Sequence, residues 1–465
     1  MVATQTTLQN ILKEFYIGPV QDQLNNEMMV LELMEKTTVD WNGRVAIIPV
    51  HTARNTGVQY LDEAGTAGGV TQLPTAGSQG YLRLQVNARF QYGTFQITGP
   101  ATAAAAKGGV GAFVGWMDAE MKRLVTDFRN ASDRRCVSGG RVLGFVNEHE
   151  NKNANPRTYE FTGDIEKLEA VRAAAAAAPA PFDLRIEFIR MDTYATIATW
   201  GGGPNTFGDI PAAGTPIDIA NRTFTMRNNA LNDLDLTGLP AGVPCAVRIA
   251  NTQSGAVPDA AGQVIANILD PEPEGIYGNL ANPTHFGIDR TATATGENTL
   301  RTSAVLSQAS AGNHDRANVS LPRIQNIFDQ ISLASGEEPA MILMSPLQRH
   351  IYGSLIQLTL GSSNSVQNVS GERASKLDGG FSGLSYGGVP IKTARQVDNG
   401  GMVFMKSNTW KLLELQGHGF ADLDGTEILR ANGIDAWEGF YKWYYNTVCT
   451  HPNQNGMLVG LTLTV

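Results

Sequence analysis

Between residues 82 and 92 apolar and polar side chains alternate without a break, with Leu82, Leu84, Val86, Ala88, Phe90 and Tyr92 set against Arg83, Gln85, Asn87, Arg89 and Gln91. This is the period of a strand with one wetted face. The parity flips at Gly93, after which Phe95 and Ile97 continue the apolar series, so a bulge or a change of environment is expected there. Upstream, Val45, Ile47, Ile48 and Val50 supply the β-branched residues of a matching arm over residues 44 to 54, with Pro49 marking an edge or bend. A Gly-, Thr- and Ala-rich tip over residues 55 to 80 joins the two arms. A two-stranded ribbon is marginal in water by itself, so its apolar face needs a surface to lie on. That surface is either the chain's own core or, as expected for so long a ribbon, an adjacent copy.

After Pro100 and an Ala-rich run, the period changes to that of a helix. Val110, Phe113, Val114, Met117, Met121, Leu124, Val125 and Phe128 form one apolar stripe, while Asp118, Glu120, Lys122, Arg123, Asp127 and Arg129 occupy the other face. Arg134 and Arg135 complement the dipole at its C-terminal end. From residue 110 to 135 such a helix reaches about 40 Å, enough to act as a spine.

Before the ribbon, Leu8, Ile11, Leu12 and Phe15 form a short helical stripe, and Val20, Leu24, Met28 and Leu31 form a second after Gly18 and Pro19. Beyond the spine, short strands are expected at 141 to 147 and 158 to 161, then a helix opened by Asp164 and stopped by Pro179. Residues 182 to 270 hold short β-type runs between Gly, Pro, Asn and Asp, the texture of a β-rich insertion. Residues 270 to 283 read as a linker. From Ser320 the pattern is α/β: a helix with Ile324, Ile327, Phe328 and Ile331 stopped at Gly336, a strand over 340 to 344, and a helix opened by Ser345 and Pro346. Residues 361 to 388 form a long polar loop. Strands are expected at 389 to 393, 402 to 405, 410 to 413 and 437 to 448, and in the closing alternation Met457, Val459, Leu461, Leu463 and Val465.

A chain of 465 residues exceeds one typical core, and 42% hydrophobic with 17% charged residues is the composition of a folded protein. No run approaches the ~20 apolar residues of a membrane span. The first ten residues lack a basic and apolar leader, so folding in a cytoplasm is expected. A net charge of −9 argues against a protein that grips phosphates with lysine and arginine.

No catalytic constellation stands out. Gly380, Phe381, Ser382 and Gly383 lack the spacing of a nucleophile elbow. Gly201, Gly202 and Gly203 are not followed by a phosphate-binding lysine. The seven histidines never form a ligand pair, and Asp422 and Asp424 before Gly425 are explained by a turn. Cys136, Cys245 and Cys449 read as buried thiols. Neither a metal nor a cofactor is expected.

The stretch from Ile11, Leu12, Lys13, Glu14, Phe15 and Tyr16 through Val39, Asp40, Trp41, Asn42, Gly43 and Arg44 resembles the N-arm and E-loop entry of tailed-bacteriophage major capsid proteins. Gly388, Val389, Pro390 and Ile391, on to Trp410, and Arg430, Ala431, Asn432, Gly433, Ile434, Asp435, Ala436 and Trp437 are similar to the closing part of such chains. The resemblance implies an α+β, HK-97-like capsid fold. It places an N-arm at 1–43, an extended E-loop hairpin at 44–98, a P-domain with the spine helix at 99–181 and the β-rich insertion at 182–270. An α/β A-domain follows at 271–395, with a return to the P-domain sheet at 396–465.

It also implies self-assembly into hexamers and pentamers of an icosahedral shell in the host cytoplasm, enclosing double-stranded DNA held non-specifically in a virion. A portal protein, a separate scaffolding protein and a decoration protein are the implied partners; no membrane is. In such a shell, Leu84, Val86 and Phe90 are the apolar contact candidates between subunits, and Arg54, Arg83 and Arg89 meet acids such as Asp62, Glu63 or Asp118 of neighbours. Some members of the family join a lysine of the E-loop covalently to a neighbour's asparagine. No lysine lies between Lys36 and Lys107, so no such cross-linking is expected here. The competing readings are a nanocompartment shell of the same fold, a tail-tube or fibre protein, and an enzyme with a β-rich appendage.

Overall fold

The computed structural model describes residues 29–37, 41–55, 57–58, 60, 76–100, 110–146, 157–177, 183–196, 208–226, 243–250, 272–291, 305–308, 316–361, 384–422, 429–430 and 433–464. The two N-terminal stripes up to Met28, the tip residues Asp62 and Glu63, and most of the 361–388 loop lie outside them.

In chain order, helix α1 (Met29–Leu33) and strand β1 (Glu35–Thr37) lead into β2 (Trp41–Asn42), β3 (Val45–Ala53), β4 (Gly80–Asn87) and β5 (Arg89–Thr98). The spine helix α2 (Val110–Ser138) follows, then β6 (Val142–Val146), β7 (Arg157–Gly163) and α3 (Ile165–Ala176). Next come β8 (Leu184–Arg190), β9 (Gly208–Ile210), β10 (Ile217–Asp218), β11 (Thr223–Met226) and β12 (Cys245–Ile249). Then follow α4 (Ile276–Ala281), β13 (Thr284–His285), β14 (Ile288–Asp289), β15 (Val305–Gln308), α5 (Leu321–Ser335), β16 (Met341–Met344) and α6 (Pro346–Gly361). The chain closes with β17 (Ser385–Tyr386), β18 (Val389–Thr393), β19 (Gly401–Met405), β20 (Trp410–Phe420), β21 (Leu429–Arg430), β22 (Ala436–Cys449) and β23 (Gly456–Val459).

The helices start and stop where local chemistry dictates. Asp164 caps α3 by accepting from the Lys167 amide, and Gly336 ends α5 in the left-handed conformation at φ 74°. Ser345 accepts from the Gln348 amide at the start of α6.

Three large sheets organise the body. The central one orders β1, β20, β22 and β21, with β5 antiparallel to β22 over ten residue pairs from Thr98 with Ala436 to Arg89 with Tyr445. The spine helix lies across one face of it. Gly93 of β5 is where the two approach, since a β-carbon there would stand 3.1 Å from Phe128 and 3.2 Å from Leu124 of α2. Gly93→Val should therefore push strand from helix and lower stability by about 1–3 kcal/mol, read as a reduced urea midpoint with an unchanged slope.

The second sheet has the order β10, β11, β7, β6, β12, β8, β9, covered by α3 through Ile165, Leu168 and Val171. It corrects the expected insertion. Strands from 182–250 do form, but β6 and β7 of the preceding segment sit among them, with β7 between β11 and β6 and β12 between β6 and β8. A boundary at residue 182 cuts through one sheet and one core.

In the third sheet the order is β15, β23, β19, β16, β18, β17. Ile342, Met344, Met402, Phe404 and Leu458 face α5 and α6. Met341, Leu343, Val403, Met405, Met457 and Val459 face the central core, shared with the spine helix, α4 and β22. Burial on both faces explains why β16, Met-Ile-Leu-Met, is apolar throughout. Residues 396–465 thus do not simply return to the central sheet: β20 and β22 do, while β19 and β23 belong to the α/β unit.

Residues 272–283 are not a linker. Glu274 is wedged against β22, its amide donating to Asn446 Oδ1 at 3.1 Å, and every residue of α4 is buried.

Candidate assembly surface

Each face of the ribbon meets a different environment. The antiparallel register of β3 with β4 pairs Ala46 with Val86, Ile48 with Leu84 and Val50 with Leu82, and this face turns inward. Leu84 and Val86 are fully buried against Leu413, Val448 and Ile288 of their own chain, on the side of the central sheet opposite the spine helix. Polar bonds fix the same place. Asn446 Nδ2 donates to the Asn87 carbonyl at 2.7 Å, the Ala88 amide to the Arg44 carbonyl at 2.8 Å, and Trp41 Nε1 to the Glu414 carbonyl at 3.0 Å. The structure thus corrects the expectation that Leu84 and Val86 wait for a neighbour. Their chain supplies the cover, because β20 and β22 bring Leu413 and Val448 to a face that the spine helix leaves open.

The opposite face is open. Ile47 and Tyr81 are 42% and 63% exposed, and towards the tip Val58 is 83% exposed and Tyr60 fully so. Arg54 and Arg83 are exposed with them.

The handover from ribbon to body occurs at Ala88, five residues before the expected flip at Gly93. From Arg89 onward the odd positions turn inward, and Phe90 and Tyr92 emerge on the outer side. There they form an aromatic group with Tyr444, at ring separations of 4.9 Å and 5.8 Å. Inward-facing Gln91 is satisfied: its Nε2 donates to the Phe128 carbonyl at 3.1 Å and its Oε1 accepts from the Tyr445 hydroxyl at 3.1 Å. Arg89 is half-buried and opposes the burial-raised pKa of Glu274 within the same chain, so it is not a free contact residue. A cleft of about 220 Å³ is lined by Arg89, Phe90, Tyr92, Arg135, Glu272 and Tyr445.

Along the spine, Phe128 is buried, Leu124 and Val125 are partly buried against the central core, and Met121 is half-buried. Phe113, Val114 and Met117 lie in the first half of α2, where side chains fall outside the described set. The C-terminal end of the helix is tied by charge. Arg134 Nε and Nη2 donate to the two oxygens of Asp164 at 3.0 Å and 2.6 Å, and Ser138 Oγ donates to the same carboxylate at 2.7 Å. Arg135 Nε lies 3.1 Å from Glu272. The buried Lys167 ammonium donates to Glu272 at 2.5 Å and to the carbonyls of Ser138 and Gly140 at 2.6 Å and 2.8 Å. Burial alone would raise the Asp164 carboxyl, but the Arg134 hydrogen bond and charge prevail and hold it at about 2. Arginines at the helix end were legible in the sequence, whereas Asp164 and Glu272 as their partners, and Lys167 as a second cation on Glu272, were not.

A cleft of about 410 Å³ lies beside this network and is lined by Arg134, Arg222 and Arg395 alongside Asp164, Glu166 and Asp398. Among the described residues, no group of three or more His, Cys, Asp or Glu is placed to hold a metal ion, and no helix is long and apolar enough to cross a membrane. Cys136, Cys245 and Cys449 are buried thiols, as expected.

No family model matches the chain, and no curated protein does. Among solved structures, it is similar to a chain of the Cyanophage A-1(L) capsid asymmetric unit, at 10% identity over 99% of this chain and 100% of that one, with a TM-score of 0.49. It is similar to a chain in the capsid of a native GTA particle, at 8% identity over 98% of this chain and 97% of that one, with a TM-score of 0.45. A chain from Mycobacterium phage Adephagia is similar at 10% identity over 99% of this chain and 98% of that one, with a TM-score of 0.40.

Proposed function

We propose that this chain is a major capsid protein of HK-97-like fold, whose copies join as hexamers and pentamers into an icosahedral head around double-stranded DNA. The ribbon carries this reading. Its base is clamped by its own chain while Ile47 and Tyr81 on its other face, among polar neighbours, and Val58 and Tyr60 towards the tip stand exposed, side chains that a second copy is suited to cover. Heterologous contacts between such a ribbon and a neighbour's body close into rings, and rings of five and six together close a shell. The acidic balance, a net charge of −9, agrees with a wall that confines DNA without gripping it.

In this reading a scaffolding protein guides assembly in the host cytoplasm, a portal protein occupies one vertex, and a decoration protein binds outside. Expression with the scaffolding partner, followed by electron microscopy and nucleic-acid analysis of the particles, tests the reading. Closed shells that package DNA are the expected result. Shells filled with a protein cargo and no nucleic acid would make the chain a nanocompartment wall, and helical tubes would make it a tail component.

A further inference from the structure

The two-stranded hairpin at residues 284–289 is small, strained and placed against the root of the ribbon. Thr284 pairs with Asp289 and His285 with Ile288, leaving Phe286 and Gly287 as the turn, at φ 46° and 90°. Both values are left-handed. Glycine adopts such a conformation freely, but a bulky aromatic residue does so only when its surroundings impose it. Those surroundings are the ribbon. The Gln85 amide of β4 donates to the Phe286 carbonyl at 2.9 Å, and the Phe286 and Ile288 side chains pack into the cluster formed by Ala46, Val50, Leu84 and Val86. The hairpin thus lies against β4 and holds the inner face of the ribbon.

Behind it, His285 is buried, with Nε2 3.0 Å from the Cys449 carbonyl of β22 and its ring 4.9 Å from that of Phe286. A carbonyl only accepts, so Nε2 carries the hydrogen and Nδ1 is the position open to a second proton. A few residues on, the guanidinium of Arg290 is fully buried, donating to the Leu280 and Asn279 carbonyls at 2.8 Å and 2.6 Å and standing 5.1 Å from the Tyr194 ring centroid. The charged group acting on the imidazole is Arg290 on its own loop, and the polar group that meets it from β22 is the Cys449 carbonyl, while the Cys449 thiol stands near Arg290. Across Arg290 stand the Tyr194 phenol and the Glu274 carboxyl.

We infer that the 284–289 hairpin is a latch that fixes the angle of the ribbon to the body, and that protonation of His285 opens it. A second proton creates a cation at a buried site beside an existing buried cation, so the imidazolium is accommodated only when the hairpin leaves its seat. Opening also relieves the left-handed Phe286 and frees the Gln85 amide. Burial first, and Arg290 second, hold the imidazole well below its ordinary value in the closed state. The open state therefore binds more protons. The latch is fully closed above the ordinary histidine range and weakens as pH falls below about 6.5.

Hydrogen exchange of the full-length chain between pH 7.5 and 5, corrected for intrinsic rates, tests the latch. Protection of peptides spanning Leu84–Val86 and His285–Ile288 should fall by up to about tenfold per pH unit below 6.5, the slope for one proton. Peptides of α5 should stay protected over the same range. The His285→Gln variant keeps a donor towards Cys449 but cannot titrate, and should be flat with pH. Constant protection of the wild-type ribbon root, simultaneous loss in α5, or an unchanged slope in His285→Gln would each overturn the proposal. Should that variant fail to fold, a ¹³C-histidine titration of the wild-type chain decides. The His285 signal must change together with the loss of ribbon protection, and an independent course refutes the latch.

Discussion

Replacing Asp164 by alanine is expected to destabilise the subunit by about 2–4 kcal/mol, the range for breaking a buried ion pair reduced because one partner reaches water. One carboxylate serves two helices through three partners. It caps α3 through the Lys167 amide, takes both donors of Arg134 at the end of the spine helix, and accepts from Ser138. Its side chain is 8% exposed and that of Arg134 is 41% exposed, so in the variant the guanidinium rehydrates in part and keeps Glu166, the Ser138 hydroxyl keeps the Arg134 carbonyl, and the Lys167 amide loses its acceptor. Asp164→Asn retains the cap and should recover about 1 kcal/mol of the loss.

The pH dependence follows from the same residue. Its folded value of about 2 lies below the ordinary 3.8. The stabilisation is therefore complete above about pH 5 and fades as pH falls towards 2, a contribution of about 2 kcal/mol that Asp164→Asn should lack. Denaturant midpoints measured from pH 7 to 3 on both variants check this. Parallel acid limbs in wild type and Asp164→Asn would mean that Asp164 does not supply the linkage.

The two faces of the ribbon should fail in opposite ways. The double variant Ile47→Lys with Tyr81→Lys alters only exposed side chains, so its melting temperature should stay near that of wild type. In the proposed shell its assembly should not, because each lost apolar contact removes about 1.5–3 kcal/mol per interface and the loss is multiplied over every copy. The concentration needed for assembly should rise at least tenfold. Leu84→Ala should behave in reverse, losing about 2–5 kcal/mol of subunit stability through a cavity against Leu413 and Val448. Light scattering for assembly and calorimetry for stability separate the two. Normal shells from the lysine variant at wild-type concentrations would remove the open face from the interface.

What the sequence disclosed about the fold was mostly local. The spine helix, the Asp164 and Ser345 starts, the Gly336 stop and the buried run Met-Ile-Leu-Met are each specified by residues within a few positions of one another. Alternation also revealed both ribbon arms, but placed the flip at Gly93 because Phe90 and Tyr92 continue the apolar series by character. The sheet instead turns Gln91 inward, where Phe128, Ser132 and Tyr445, far away in the chain, meet its amide. Pairing of β6 and β7 with strands from residues 182–250 left no local trace, since strand partners are chosen by the whole sheet. The linker reading of 270–283 followed Pro and Glu content, while Ile276, Tyr277 and Leu280 marked the buried turn of helix that is present.

Because β22 lies between β5 and β20, and β23 between β15 and β19, the central sheet cannot close until translation has passed residue 449, nor the α/β sheet until it has passed residue 459. Pairing β5 with β22 joins positions separated by more than three hundred residues, a slow step that begins only once the ribosome has delivered β22. Until then a nascent chain carries no finished central sheet on which a sister molecule can dock, and growing polypeptides on one messenger are kept from joining through it.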